Sequence, residues 1–129
     1  MKEEYIMQMS MIENEANQLN SQLQLIEQNK SELEELKLSL EELEKGSKNI
    51  LVNLGKKIYL PVEAEDDKLI VYIGNNNFIK KSIPDTKKII DDQIKKLNLA
   101  VEEINKRLHM LQTEIEKLME EVERDSKNN

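Results

Sequence analysis

Apolar residues along this chain follow two rhythms. From Tyr5 to Leu40 they recur every seven residues, as Tyr5, Ile12, Leu19, Ile26, Leu33 and Leu40, with Met9, Ala16 and Leu23 at the alternate positions. That spacing belongs to a helix burying one narrow seam against another helix. After Ile26 the pattern falters: Lys30 takes the next seam position, and Leu36 and Leu43 stand where 37 and 44 are expected. A phase shift of the stammer or stutter kind is therefore predicted near residues 27–33. The Lys30 break reads either as a tolerated irregularity whose ammonium snorkels to water or as a flexible point in the arm, and the sequence leaves both open. The helix is predicted over 3–46, closing on Gly46 as a C-cap. At 1.5 Å per residue it makes an arm of roughly 65 Å. A second helix is predicted over 83–125. Ser82-Ile83-Pro84-Asp85 supplies a capping hydroxyl, a first-turn proline and an acid at the positive helix end. Its seam runs Ile90, Ile94, Leu97, Val101, Ile104, Leu108, Leu111, Ile115, Leu118, Val122 without a polar interruption. The tail from Arg124 to Asn129 is expected to fray.

Between the helices, residues 47–82 change rhythm. Ile50-Leu51-Val52, Ile58-Tyr59-Leu60, Leu69 to Ile73 and Phe78-Ile79 are short β-rich runs. Gly55-Lys56-Lys57, Asp66-Asp67 and Gly74 to Asn77 separate them, which predicts two successive β-hairpins. Pro61 marks its run as an edge or a broken strand. Apolar residues lie on both strand faces, more than two hairpins can bury alone, and unpaired apolar edges recruit partners. The insert is therefore expected to be an oligomerisation module, built on Ile50, Val52, Leu54, Ile58, Leu60, Leu69, Val71, Ile73 and Phe78. The fold class is α+β: a long antiparallel two-helix coiled coil with two inserted hairpins, the strands completed into a barrel by oligomerisation. Its 129 residues allow one domain, 1–129.

Composition agrees with a narrow seam rather than a wide core. Charged residues reach 35%, aromatics only 3%, and Trp is absent. The net charge of −7 is uneven: −7 over residues 1–46, +2 over 47–82 and −2 over 83–129. An acidic arm repels phosphate, so a nucleic-acid partner is not expected. With no cysteine there are no disulfides or thiolate metal sites. The start of the chain lacks signal-peptide character and no apolar run approaches a membrane span, so a soluble, cytoplasmic protein with no membrane partner is expected. The sequon Asn29-Lys30-Ser31 is set aside on the same ground.

Catalytic constellations are missing. Three dispersed glycines, Gly46, Gly55 and Gly74, cannot form a phosphate cradle. His109, the single histidine, has no evident partner and reads as a helix-surface residue. Glu41-Glu42-Glu44 and Glu120-Glu121-Glu123 read as solvated helix faces rather than cation sites. No enzyme activity, cofactor or metal is expected.

The stretches Ile50-Leu51-Val52-Asn53-Leu54-Gly55 and Leu69-Ile70-Val71-Tyr72-Ile73-Gly74, the latter continuing to Ser82, resemble the prefoldin family, and two hairpins favour its alpha type. Asn53 replaces the family's usual proline, and Asn76 replaces the second glycine of the second turn; Asn tolerates positive φ. The resemblance implies an ATP-independent co-chaperone. It implies a hexamer of two alpha and four beta-type subunits whose hairpins form a double barrel. It also implies coiled-coil tips that hold unfolded polypeptide and pass it to a group II chaperonin. A structural coiled-coil scaffold, such as a filament-forming prefoldin relative, is the alternative.

The methionines fit such tips. At about 100° per residue, Tyr5, Met9 and Ile12 share the seam face while Ile6, Met7 and Met11 point progressively away from it. A two-helix seam cannot bury all of this surface, and adaptable Met-rich surface suits a promiscuous apolar binder. A neighbouring chain or a frayed end would also account for it. Client binding is assigned to Tyr5, Ile6, Met7, Met9 and Met11, with Met119 and Val122 opposite. Counting outward from the insert predicts Ile12 near Met119 and Ile26 near Ile104 or Asn105.

Overall fold

The computed structural model describes residues 2–46 and 48–127. Ser47, where the insert is expected to begin, and Asn128 and Asn129 lie outside the described residues. The element order is α1 (Glu3–Glu44), β1 (Asn49–Gly55), β2 (Ile58–Glu63), β3 (Lys68–Gly74), β4 (Asn77–Ser82) and α2 (Ile83–Lys127). The chain divides into two compact units, one of residues 1–30 with 95–129 and one of residues 31–94.

The unit of residues 31–94 holds the hairpins and the adjoining ends of both helices. Lys45-Gly46 form the turn that closes α1: Gly46, at φ +91°, donates its N–H to the Leu43 carbonyl at 3.1 Å. Helix α2 opens as the sequence predicts, with the Asp85 N–H bonded to Ser82 Oγ at 3.2 Å. Leu40, Ile83 and Ile90 are buried together, with Leu33, Leu43, Leu69 and Ile94 packed around them. Lys37 Nζ meets Asp91 Oδ1 at 2.7 Å, and Lys87 reaches Glu44 at 2.9 Å and Glu41 at 3.8 Å. Partners on α2 fall in number as those on α1 rise, so the helices run antiparallel here.

The hairpins are two separate two-stranded sheets, β1 with β2 and β3 with β4. In the first, Val52 pairs with Leu60 and Gly55 with Ile58; in the second, Tyr72 pairs with Phe78 and Gly74 with Asn77. Each is joined by two residues at positive φ, Lys56 (51°) with Lys57 (64°) and Asn75 (50°) with Asn76 (61°). Two consecutive residues in that region make the type I′ turn whose twist matches the strands. Asn76 thus holds the positive φ that the turn requires. Asn53 accepts the Gly55 N–H on Oδ1 at 2.9 Å and steadies the irregularity beside the first turn. Pro61 pairs with Leu51 inside an unbroken β2, which is an edge strand because the sheet has only two.

The unit of residues 1–30 and 95–129 is a helix pair. Ile104, Leu111 and Leu118 are buried, seven residues apart on α2. Tyr5 is bonded to Asp125 and Glu15 to Arg107, so the pairing is again antiparallel.

Two expectations are corrected. No phase shift occurs near residues 27–33, although Leu43 rather than Glu44 packs on the core at the end of α1. Lys30 and Lys37 are half-buried on the seam and Leu36 is 46% exposed, so the 4-3 repeat passes from Tyr5 through Ile26, Lys30, Leu33 and Lys37 to Leu40 unbroken. The apolar stem of a lysine can line a seam while its ammonium reaches outward, as that of Lys37 does to Asp91. Second, α2 does not fray at Arg124 but runs to Lys127. Position 125 continues the seam, where Asp125 is half-buried and held by Tyr5, and Arg124 pairs with Glu120 at 3.8 Å one turn back. Ile12 shares a groove with Leu118, the chain neighbour of Met119, and Tyr5 faces Asp125, in keeping with layers counted outward from the insert.

Candidate functional site

Among the described residues, exposed apolar side chains gather on two surfaces, with Leu25, Leu36, Leu38, Ile89, Leu99 and Met110 also exposed along the helices. The first is the end of the helix pair marked by Tyr5 and Asp125. The phenol of Tyr5 donates a 2.7 Å hydrogen bond to Asp125 Oδ2. That bond, with some burial and the neighbouring carboxylates, pushes the phenol pKa up to about 12. Lys2 adds a looser contact to the same carboxylate at 3.8 Å. Tyr5, Met9 and Val122 are half-buried, and with Leu118 and Met119 they line a small cleft. Ile6, Met7, Met11 and Met119 stand in solvent, Met7 at 66% and Met11 at 70% exposure. The proposed client-binding residues thus divide: Tyr5, Met9 and Val122 hold the helices together, while Ile6, Met7, Met11 and Met119 offer free apolar surface.

Sequence reasoning missed the neighbouring groove, of about 500 Å³, floored by Ile12, Leu111 and Leu118 and overhung by Met11. Gln8 and Glu15 of α1 and Arg107, Glu114 and Glu121 of α2 flank it. Residues 107, 114 and 121 recur every seven positions, as do 8 and 15, and that repeat was the available signal. Arg107 Nε and Nη2 grip both oxygens of Glu15, the second at 2.9 Å, and Glu114 lies 3.8 Å from Nη1. This two-pronged bond holds the Glu15 carboxyl below its ordinary value and raises Arg107 above its own. His109 is exposed, and Thr113 Oγ1 donates to its backbone carbonyl at 3.1 Å.

The second surface is the insert. Of the expected assembly residues, Ile50, Leu69 and Val71 are half-buried, and Val52, Leu54, Ile58, Leu60, Ile73 and Phe78 are exposed. The faces of the second hairpin differ. Leu69 packs toward Leu40, Ile83 and Ile90, whereas Ile70, Tyr72 and Phe78 project from the other face at 69%, 57% and 63% exposure. Phe78 therefore lies opposite Leu69, Val71 and Ile73, its ring tilted against Tyr72 at 5.2 Å. Leu51, Tyr59 and Ile79 also stand exposed, and the expected set omitted them. An open cavity of about 1130 Å³ separates the hairpins, with Ile50 and Val52 on one side and Leu69 and Ile70 on the other.

Among the described residues no group of acids and histidine is placed to hold a metal ion, and no helix is long and apolar enough to cross a membrane.

Two long helices with two antiparallel hairpins inserted between them, apolar on exposed strand faces and at the helix end, define a coiled-coil subunit with an insert. The chain belongs to the prefoldin family: the "Prefoldin subunit" family pattern matches residues 8–128. Among solved structures it is similar to the cryo-EM structure of filamentous PFD from Methanocaldococcus jannaschii. The two share 22% sequence identity over 94% of this chain and 99% of that one, with a TM-score of 0.72. No curated protein matches in sequence.

Proposed function

We propose that this chain is an alpha-type prefoldin subunit, acting without ATP as a chaperone that captures unfolded polypeptide at the Tyr5 end of its helices. The observation that carries this reading is the solvent exposure of Ile6, Met7 and Met11 beside a seam already filled by Tyr5 and Met9. Exposed, conformationally adaptable thioethers can pack against many apolar sequences without selecting one. The hairpins serve assembly with beta-type subunits, in a hexamer of two alpha and four beta chains. Support comes from the unpaired edges of both sheets and from the cavity between them, which has room for strands of other chains. Delivery to a group II chaperonin in the cytoplasm completes the reading and rests on family membership. Nothing in it calls for catalysis.

A second reading is a filament-forming scaffold, favoured by the fold similarity to a filamentous PFD. Native mass measurement after co-expression with a beta-type subunit separates the two. A closed hexamer supports the chaperone subunit, and open-ended polymers with no closed species support the scaffold.

A further inference from the structure

We infer that the groove beside Met11 is selective, taking apolar polypeptide segments flanked by basic residues in preference to neutral or acidic ones. This deepens the capture reading above and rests on it.

The groove has an apolar floor and a charged rim. Ile12, Leu111 and Leu118 offer no hydrogen-bonding group, so only an apolar side chain gains by entering. Met11, 70% exposed, has the freedom to fold over what enters. The rim residues differ in what they can still bind. Arg107 is committed to Glu15, which removes the strongest rim cation from recognition of an incoming acid, while Glu114, 3.8 Å from Arg107, keeps 48% of its side chain exposed. Glu121 has no ion pair among the described residues and borders the apolar floor beside Leu118. Glu114 and Glu121 lie two turns apart on one helix face, roughly 10 Å along the axis. An extended segment advances about 3.3 Å per residue. Basic residues about three positions apart, bracketing an apolar one, therefore match the two carboxylates.

The surroundings act in the same direction. Residues 2–22 carry one basic and four acidic groups, and residues 107–127 carry four basic and six acidic groups. Five of the chain's seven net negative charges lie in these two stretches of one compact unit. Lys117, also on the rim, opposes the effect locally without reversing that balance. Such a field steers cationic segments inward and turns acidic ones away.

The test uses the full-length chain and three peptides sharing the same apolar anchors, flanked by lysine, serine or glutamate. Anisotropy should show the lysine peptide binding about fivefold tighter than the serine peptide at low ionic strength, and the glutamate peptide weaker still. The preference should shrink to less than about twofold in 1 M salt, where charges are screened within about 3 Å. Glu114→Gln with Glu121→Gln, both solvent-facing, should bring the lysine-to-serine affinity ratio down to less than about twofold. Met11→Ser should weaken all three. Equal binding of the three peptides, or a preference indifferent to salt and to the glutamine pair, overturns the selectivity but leaves capture standing. Failure to bind any of them, together with failure to suppress aggregation of a denatured client, overturns both.

Discussion

Tyr5 and Asp125 are 120 positions apart in sequence and share one hydrogen bond, 2.7 Å long, across the helix pair. Because the phenol is neutral when it donates, the bond requires the protonated form. Its folded-state pKa lies above the ordinary 10.0, at about 12. The contribution is complete below pH 10 and is lost as pH rises through 12. A tyrosinate absorbance titration should therefore contain a step near pH 12 that Tyr5→Phe abolishes. An unchanged titration in that variant contradicts the assignment.

Arg107 and Glu15 work in the opposite pH direction. The guanidinium holds the Glu15 carboxyl below its ordinary 4.5, so the pair stabilises the fold above that value and loses its effect as pH falls below it. Both side chains are 39% exposed, so the effect is modest and screened by salt. Melting temperature of the wild type should exceed that of Glu15→Gln at neutral pH in low salt, and the two should converge near pH 3. A constant difference across that range argues against the ion pair.

The first hairpin turn places Lys56 and Lys57 at positive φ, which costs a residue bearing a Cβ about 1–2 kcal/mol. Lys56→Asn with Lys57→Gly supplies the pair that a type I′ turn favours. Chemical denaturation should show a gain of about 1 kcal/mol. By the same reasoning Gly55→Ala should destabilise through backbone strain alone, because an added Cβ there meets no atom within 4 Å.

Assembly is expected to depend on the strand faces. Val71 and Ile73 share the face of β3 opposite Ile70 and Tyr72. Val71→Asp with Ile73→Asp should disperse the oligomer in sizing experiments while far-UV circular dichroism retains the helix signal. Assembly at normal size would remove the insert from that role.

The parts of the fold legible in the sequence are those set by local rhythm. The α2 seam, the Ser82 cap and both hairpins follow from spacing and turn chemistry at Ser82, Gly55 and Gly74. The misreadings came from judging side chains by charge alone. Lys30 reads as a tolerated irregularity or a flexible point, and it and Lys37 are half-buried on the seam. Asp125 looked like a fraying tail, yet Tyr5 holds it. The grip of Arg107 on Glu15, and the groove beside it, depend on the axial stagger between two helices. A repeat read along one helix does not reveal that stagger.

The central claim is that the off-seam methionines capture clients independently of fold and assembly. The direct test is aggregation of a denatured protein in the presence of wild type or of Met7→Ser with Met11→Ser. Burying a methionine is worth about 1.5–3 kcal/mol, so capture by one helix pair should fall about tenfold or more, less where several arms act together. The account predicts weakened suppression at unchanged oligomer size and melting temperature. Undiminished suppression, or suppression lost only together with assembly, would contradict it.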